Sequence, residues 1–251
     1  MLKQIKRSIY KMTKQSKEID ILFDVSKHIV LITGVSGQLG NAYARAFLER
    51  GAIVVGMDLR DTDSSIQLAE SYSEQYMFLE ADVTNKSSLQ KSLNSITDRF
   101  STPTVLINNA AIDSPPNSSA EDNGPFENYP ESNWDKVIDV NLKGTYLCCQ
   151  VFGAAMAEAK QGSIINVSSI YGVVSPDQNL YEYRRQRGET FYKPAAYSAS
   201  KSGIINLTRY LAVYWAKQNV RVNSLTLAAV FNKQEQAFLD VYCERIPIGR
   251  M

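Results

Sequence analysis

A tyrosine and a lysine four residues apart, Tyr197 and Lys201, are of types and at a spacing that could do chemistry. They fall in a predicted helix over 197–217, and residues four apart share one helical face. A free phenol has a pKa near 10, roughly three units too high for proton exchange at neutral pH, and a neighbouring ammonium favours the phenolate. Such a pair in a cleft predicts a general acid/base, although the same pairing is also common on solvated helices.

A glycine-rich turn follows the first predicted strand, with the sequence Thr33-Gly-Val-Ser-Gly-Gln-Leu-Gly40. Glycines at this spacing allow a tight turn and let a helix N-terminus face a pyrophosphate. Asp58 ends the second predicted strand, 18 residues beyond Gly40, close to the spacing of a carboxylate that binds the adenosine ribose. This carboxylate would repel a 2′-phosphate, so we expect NAD; Arg60 leaves NADP open, because a guanidinium pairs with phosphate. The alternative is that Asp58 is a surface turn residue.

Apolar runs alternate with amphipathic segments from residue 28 onward. We predict strands at 28–33, 53–57, 77–79, 105–107, 163–167 and 221–225, and helices at 39–50, 87–99, 134–158 and 197–217. This alternation predicts one Rossmann-type α/β domain over 28–251, with a doubly wound parallel sheet and helices on both faces. Residues 1–27 form a basic N-terminal extension with apolar residues at helical spacing. It is expected to pack on a subunit, to fray as a tail or to bind anionic lipid.

Composition narrows the class of protein. The net charge of +1 gives no field to attract nucleic acid. One histidine and three cysteines predict neither a metal site nor a disulfide framework. No apolar run is long enough for an integral membrane segment. We therefore expect a cytoplasmic protein that acts on a small-molecule substrate.

Further motifs occur along the chain in a set order. Asp82-Val83, Asn108-Asn-Ala-Ala111 and Ser168-Ser169 lie at the ends of predicted strands, and Asn141 lies on the predicted helix over 134–158. With the glycine turn and Tyr-x-x-x-Lys, they span 29–223. Together they make the chain resemble the classical short-chain dehydrogenase/reductase family, whose members transfer a hydride between a nicotinamide and a substrate carbon.

The resemblance implies roles for particular residues. Tyr197 would be the general acid/base, Ser169 would orient the substrate oxygen, and Asn141 would position a water in a proton relay. Lys201 would lower the pKa of Tyr197 and hold the nicotinamide ribose. The implied cofactor-binding residues are Gly34, Ser36, Gly37, Gln38, Leu39, Gly40, Asp58, Leu59, Asp82, Val83, Asn109, Ala110, Ala111, Tyr197 and Lys201. A homodimer or homotetramer is expected as well.

The sequence departs from the family pattern in three places. Gln38 replaces the usual central glycine, giving a spacing that also resembles the extended, epimerase-like branch. Leu227-Ala228-Ala229 replaces the usual Pro-Gly near the nicotinamide. The sequence ends where the family's last helix and strand would follow, so we expect the sixth strand to be an exposed edge.

An insertion at about 173–195 lengthens the interval between Ser169 and Tyr197 to 28 residues. It contains Arg184, Arg185 and Arg187. It is either a solvated excursion or subunit contact, or a lid whose arginines bind an anionic, sugar-derived substrate. The segment before it resembles oxidoreductases of surface-polysaccharide and flagellin-modification pathways.

Three functions are therefore open. The first is a dehydrogenase or reductase of a small polar alcohol or ketone, possibly sugar-derived. The second is a 3-oxoacyl-thioester reductase, which would use the same four catalytic residues. The third is a catalytically silent nucleotide-binding or scaffold protein, suggested by Leu227-Ala228 and by the early end of the sequence.

Overall fold

The computed structural model describes residues 23–114, 119 and 121–251, and in them six strands form one parallel sheet. The strands are β1 (Ile29–Thr33), β2 (Ile53–Asp58), β3 (Tyr76–Glu80), β4 (Val105–Asn108), β5 (Gly162–Ser169) and β6 (Val220–Leu227). Their order in the sheet is β3-β2-β1-β4-β5-β6. Successive strands are added on one side of β1 up to β3 and on its other side from β4 onward. The switch point between β1 and β4 is the position where doubly wound sheets bind ligands. The predicted fold class is confirmed.

Helices cover both faces of this sheet. Helices α1 (Gln38–Leu48) and α2 (Asp63–Ser71) pack on one face, while α3 (Lys86–Arg99), α4 (from Glu131 to Glu158) and α6 (Ala195–Tyr214) pack on the other. The residues of β1 are buried in alternation against the two layers. This explains why β1 is a continuous apolar run instead of an alternating one.

Helix α4 is interrupted by two π-helical turns, Asp139–Lys143 and Cys149–Gly153. The sequence predicts a helix over 134–158 but not these turns, which are set by local backbone hydrogen bonds. Each inserts a residue into the helical ladder, and such turns are frequent at functional sites. The first of them contains Asn141 and lies under the turn that follows β4.

The inserted segment folds against the C-terminal part of the chain. It forms the 3₁₀ turn Gln178–Tyr181 and the short helix α5 (Glu182–Gln186), which meet helix α7 (Gln236–Glu244). Leu180 and Tyr181 pack with Phe238 and Tyr242 in an apolar cluster separate from the two sheet faces. Helices α2, α5 and α7 were not expected from the sequence.

Strand β6 pairs with β5 and forms one edge of the sheet in the described part of the chain. Its register places Leu227 beside Ser169. The segment that departs from Pro-Gly therefore starts next to the candidate catalytic serine. Residues 1–22, most of the basic extension 1–27, lie outside the described residues, and the interpretations of that extension remain untested.

Candidate active site

Three of the four predicted catalytic residues meet at the carboxyl end of the sheet. Ser169 ends β5, and Tyr197 and Lys201 lie on the first turns of α6, which follows the insertion. All three line one cavity of about 620 Å³. Ser169 and Tyr197, 28 positions apart in the sequence, thus lie in one spatial cluster with Lys201.

Lys201 is 3% exposed, and its Nζ donates a hydrogen bond to the carbonyl oxygen of Val167 at 2.8 Å. Burial disfavours the ammonium and lowers the pKa of Lys201 to about 8. Its Nζ lies 5.8 Å from the centroid of the Tyr197 ring. The lysine is thus held at the floor of the cavity, beside the tyrosine but bonded to the strand.

Burial raises the pKa of Tyr197, and the carboxylate of Asp113 raises it further, while interaction with the Ser169 hydroxyl lowers it. We expected from the sequence that Lys201 lowers the pKa of Tyr197, but in the structure this pKa is raised. The reason is that the cost of burying a phenolate exceeds the favourable contacts, and the lysine donates to Val167.

The two serines at the end of β5 have different surroundings. The hydroxyl of Ser168 donates to the carbonyl oxygen of Lys201 at 2.8 Å, so it anchors α6 to the strand. The hydroxyl of Ser169 accepts from the backbone N–H of Tyr171 at 3.2 Å and lines the cavity. Ser169 is therefore the serine that lines the cavity, and its role in orienting a substrate oxygen stays a prediction.

Asn141 is fully buried and lies outside the residues that line the cavity. Its Oδ1 accepts from the backbone N–H of Ile112 at 2.8 Å, and its Nδ2 donates to the carbonyl oxygen of Ile112 and to the Ser200 hydroxyl. Both Nδ2 hydrogens are used, so the side chain fastens the segment after β4 to helix α6. A water-positioning role for this residue stays a prediction.

The glycine turn is packed too closely to accept side chains at two positions. Gly34 has a φ of +69°, and a Cβ there would lie 2.9 Å from the Cα of Ala110. A Cβ on Gly40 would collide with the carbonyl oxygen of Gly34. Asn109 closes the turn, since its Nδ2 donates to the carbonyl oxygens of Thr33 and Gly34. The glycines are thus explained by close backbone approach.

A second cavity, of about 410 Å³, lies over this turn. Eleven of the predicted cofactor-binding residues line it: Gly34, Gly37, Gln38, Leu39, Asp58, Leu59, Asp82, Val83, Asn109, Ala110 and Ala111. Ser36 and Gly40 do not line it. Leu39, Asn109 and Ala111 line both cavities, so the two adjoin.

Asp58 lies at the far end of the second cavity, where its two carboxylate oxygens accept from the backbone N–H groups of Ser36 and Leu59 at 3.0 and 2.8 Å. The carboxylate is thereby fixed against the glycine turn and keeps unused lone pairs. Arg60, the residue that left NADP open, is not among the lining residues.

Gln38, one of the departures from the family pattern, contacts the segment that follows β6. The Nε2 of Gln38 donates to the carbonyl oxygen of Phe231 at 3.0 Å, so the residue at the usual glycine position supports the segment after β6. Leu227, Ala228 and Ala229 line the larger cavity, and the N–H of Ala229 donates to the Tyr242 hydroxyl.

The inserted segment covers the larger cavity but does not present three free arginines. The arginines instead pair with carboxylates: Arg184 with Glu189, Arg185 with Glu182, and Arg187 with Glu189 and Glu235. Only Arg184 lines the cavity, and Arg185 also donates to the carbonyl oxygens of Phe191 and Gln178. Arg185 and Arg187 lie outside the cavity lining, so of the three arginines only Arg184 is placed for the lid interpretation, which stays a prediction. The sequence spacing did not show which glutamates pair with the arginines.

Sequence reasoning did not single out several residues at this site. Tyr171, Lys193 and Tyr242 line the larger cavity, and Asp113 pairs with Lys193 at 2.6 Å. Asp113 follows the Asn108–Ala111 turn closely in the sequence, but Lys193, with which it pairs, lies 80 residues further along the chain. Among the described residues, no group of His, Cys, Asp or Glu is placed to hold a metal ion, and no helix is long and apolar enough to cross a membrane.

Comparison with known proteins agrees with this geometry. A family model described as enoyl-(acyl carrier protein) reductase matches residues 34–251. The NAD-dependent glycerol dehydrogenase of Listeria innocua is 28% identical over 86% of this chain and 76% of its own length. The D-threitol dehydrogenase of Mycolicibacterium smegmatis is 27% identical over 87% of this chain and 77% of its own length.

A solved structure shows the same relationship. The short-chain dehydrogenase of Leptospira borgpetersenii with bound NAD+ superposes with a TM-score of 0.78 at 30% identity, over 91% of this chain and 81% of that chain. The parallel sheet, the glycine turn and the Ser–Tyr–Lys cluster define an oxidoreductase of the Rossmann type. The chain belongs to the short-chain dehydrogenase/reductase family.

Proposed function

We propose that this protein is an NAD-dependent dehydrogenase that transfers a hydride between the nicotinamide and a carbon of a small, neutral, sugar-derived alcohol or ketone. The observation that carries the proposal is the junction of the two cavities. Ser169, Tyr197 and Lys201 line one, the glycine turn and Asp58 line the other, and Asn109 lines both. A dinucleotide that spans the junction would bring its nicotinamide to Tyr197.

The residues of the smaller cavity fit this cofactor. The turn at Gly34 and Gly40 brings the backbone close to the cavity without side chains, as a pyrophosphate needs, and the free lone pairs of Asp58 suit ribose hydroxyls. Bound there, NAD supplies the hydride acceptor for oxidation of an alcohol. Asp58 disfavours a 2′-phosphate by charge.

The remaining chemistry is proton transfer at the substrate oxygen. In the oxidation direction Tyr197 would take the hydroxyl proton, and in the reduction direction it would return it. Ser169 would hold the same oxygen by a hydrogen bond. Lys201 would place its ammonium near the nicotinamide ribose, from its position on the turn of α6 that follows Tyr197.

A neutral substrate is favoured by two ion pairs at the larger cavity. Arg184 and Lys193 are each paired with a carboxylate, from Glu189 and Asp113 respectively, while Lys201 and Lys233 also line the cavity. Five tyrosines line this cavity as well: Tyr171, Tyr181, Tyr183, Tyr197 and Tyr242. Aromatic faces that carry hydroxyl groups suit a ligand with both C–H and O–H groups. The names of the glycerol and threitol dehydrogenases support the same class.

A 3-oxoacyl-thioester reductase is the second candidate, favoured by the description of the matching family model. It would use the same serine, tyrosine and lysine. An acetoacetyl thioester tested beside the polyols separates the two, because each candidate predicts the higher kcat/KM for its own substrate.

We also propose that residues 28–251 are one catalytic domain with an insertion at 173–195, and that the protein is a cytoplasmic homodimer or homotetramer. The location is supported by the three cysteines, which are all free thiols.

The test is steady-state turnover with NAD and with NADH over a panel of polyols, simple alcohols, ketoses and the thioester. We expect turnover on polyols, and a loss of about 10²- to 10⁴-fold in Tyr197→Phe, the size of a general acid/base contribution. Tyr146→Phe, an exposed tyrosine on α4, is the matched control. A Tyr197→Phe enzyme that keeps most of its activity, or a wild-type enzyme silent on the whole panel, would overturn the proposal.

A further inference from the structure

Lys193 lines the larger cavity and forms an ion pair with Asp113, which is not among the residues that line it. The Nζ of Lys193 lies 2.6 Å from both carboxylate oxygens of Asp113, which follows β4, while Lys193 ends the inserted segment. The lysine side chain is 13% exposed and the aspartate side chain 47%. One partner is thus largely withdrawn from water, and the other remains accessible.

The position of Lys193 is fixed by its neighbours. Its backbone N–H donates to the Oε1 of Gln178 at 2.8 Å, and its carbonyl oxygen accepts from the Nε2 of the same residue at 3.2 Å. The carbonyl oxygen of Gln178 in turn accepts from Arg185 at 2.8 Å. Pro194 follows directly as the N-cap of α6. The insertion therefore presents this lysine on a braced backbone.

The lysine of the pair lies close to Tyr197. The Nζ of Lys193 lies 4.8 Å from the centroid of the Tyr197 ring and 5.7 Å from that of Tyr171. The charge of Asp113 also raises the pKa of Tyr197, which agrees with a short separation. A substrate oxygen held by Tyr197 would have its neighbouring substituent within reach of this pair.

The hydrogen-bonding capacity of the pair is not exhausted. An ammonium has three N–H donors, of which the two carboxylate oxygens of Asp113 take at most two, and those oxygens retain lone pairs. A donor that is mostly shielded from water and lacks a partner is costly. A ligand hydroxyl accepts from the ammonium and donates to the carboxylate at the same time.

We infer that Lys193 and Asp113 together bind a second hydroxyl on the carbon next to the one that is oxidised, so that the substrates are vicinal diols. This inference rests on the proposed dehydrogenase function and names its substrate class. An anionic group at this place would meet the carboxylate of Asp113, and an ammonium would meet Lys193. A neutral hydroxyl satisfies both partners.

The experiment compares two substrates that differ by one hydroxyl, butane-2,3-diol and butan-2-ol, with NAD. The quantity measured is the ratio of kcat/KM for the diol to kcat/KM for the monohydric alcohol. We expect this ratio to exceed ten in the wild-type enzyme. It should fall on the order of ten- to a hundredfold in Lys193→Met and in Asp113→Asn, the loss expected for a hydrogen bond to a charged group.

Controls keep the inference separate from folding and from the proposed function. Lys143→Met is the matched control. Lys143 pairs with Asp139 at 3.1 Å on an exposed face of α4, and its substitution should leave the ratio unchanged. NADH titration of each variant checks that the cofactor site is formed. If Lys193→Met fails to fold, Asp113→Asn alone carries the test. A wild-type ratio near one, or a ratio unchanged in both variants, overturns the inference. The proposed function is judged separately, because loss of turnover in Tyr197→Phe on both alcohols would still support it.

Discussion

The Nζ of Lys201 lies 2.8 Å from the carbonyl oxygen of Val167, and this one contact holds a nearly buried ammonium at the end of β5. The carbonyl does not offset the cost of desolvation, since the pKa of Lys201 falls from 10.5 to about 8. The lysine therefore costs the folded protein stability at neutral pH.

The sign of the resulting pH dependence follows from proton binding. Between about pH 8 and 10.5 the unfolded chain holds the lysine proton and the folded chain does not, so this group makes stability rise with pH across that window. Below about pH 8 its cost is fully present, on the order of 3 kcal/mol. We expect Lys201→Met to abolish this rise in the free energy of unfolding, as measured by urea denaturation at several pH values. The same slope in wild type and variant would contradict the assignment.

The pKa of Tyr197 makes a prediction about rates. Oxidation of an alcohol requires the phenolate as proton acceptor, and burial raises the pKa of this tyrosine. We therefore expect kcat/KM for oxidation to rise with pH well above neutrality, because this parameter reports the free enzyme. Initial-rate assays with NAD at fixed ionic strength measure kcat/KM as a function of pH.

Two variants should move that profile in opposite directions. Ser169→Ala removes an interaction that lowers the pKa of Tyr197, so the rising limb should shift to higher pH. Asp113→Asn removes a charge that raises it, so the limb should shift to lower pH. Shifts of the same sign would show that another group governs the limb.

Much of this site was predictable because its signals are local in sequence. The glycine turn, Asp58 and the Tyr197–Lys201 pair depend on spacings within one strand–helix unit, and the structure brings them to the adjoining cavities. The directions of the pKa shifts were not predictable, since they depend on burial. A tyrosine four residues from a lysine is expected to have a lowered pKa, but burial of Tyr197 in the structure raises its pKa.

Contacts between distant segments account for the rest. Lys193 and Asp113 lie 80 residues apart, and Arg187 of the insertion pairs with Glu235, which lies beyond β6. A pattern of residue types along the chain does not reveal which charges pair across such distances. The π-helical turn at Asn141 was not predicted for a different reason, because it depends on the local backbone hydrogen bonds of a single turn within a continuous helix.

The carboxylate of Asp58 predicts that the protein prefers NADH over NADPH. Its oxygens are fixed by the N–H groups of Ser36 and Leu59 and would meet a 2′-phosphate with like charge. We expect tighter binding of NADH than of NADPH, and Asp58→Asn should narrow the difference by on the order of ten- to a hundredfold. Fluorescence titration with both reduced cofactors measures it. Asp98→Asn, an exposed position on α3, is the control, and tighter NADPH binding by the wild-type protein would point to Arg60 instead.

The predicted self-association has a candidate surface on α6, the helix that carries Tyr197. Tyr210, Val213 and Tyr214 are 63, 80 and 62% exposed, and their spacing of three and four residues places them on one face. The two tyrosine rings stack with centroids 5.8 Å apart, which makes a flat apolar surface. Exposed apolar patches of this kind mark contact sites between proteins.

We expect this face to pair with its copy on a second molecule, which would also brace the helix that holds Tyr197, the proposed acid/base. A charge at its centre should be incompatible with a buried interface, because an unpaired charge is costly to desolvate. Sedimentation velocity of Val213→Asp should therefore show a smaller species than the wild-type protein. Ile66→Asp, which places the same charge on α2 at a 44% exposed position, should not change the sedimentation coefficient. A wild-type protein that sediments as a monomer, or a Val213→Asp variant that keeps the wild-type assembly, would show that α6 is not the contact.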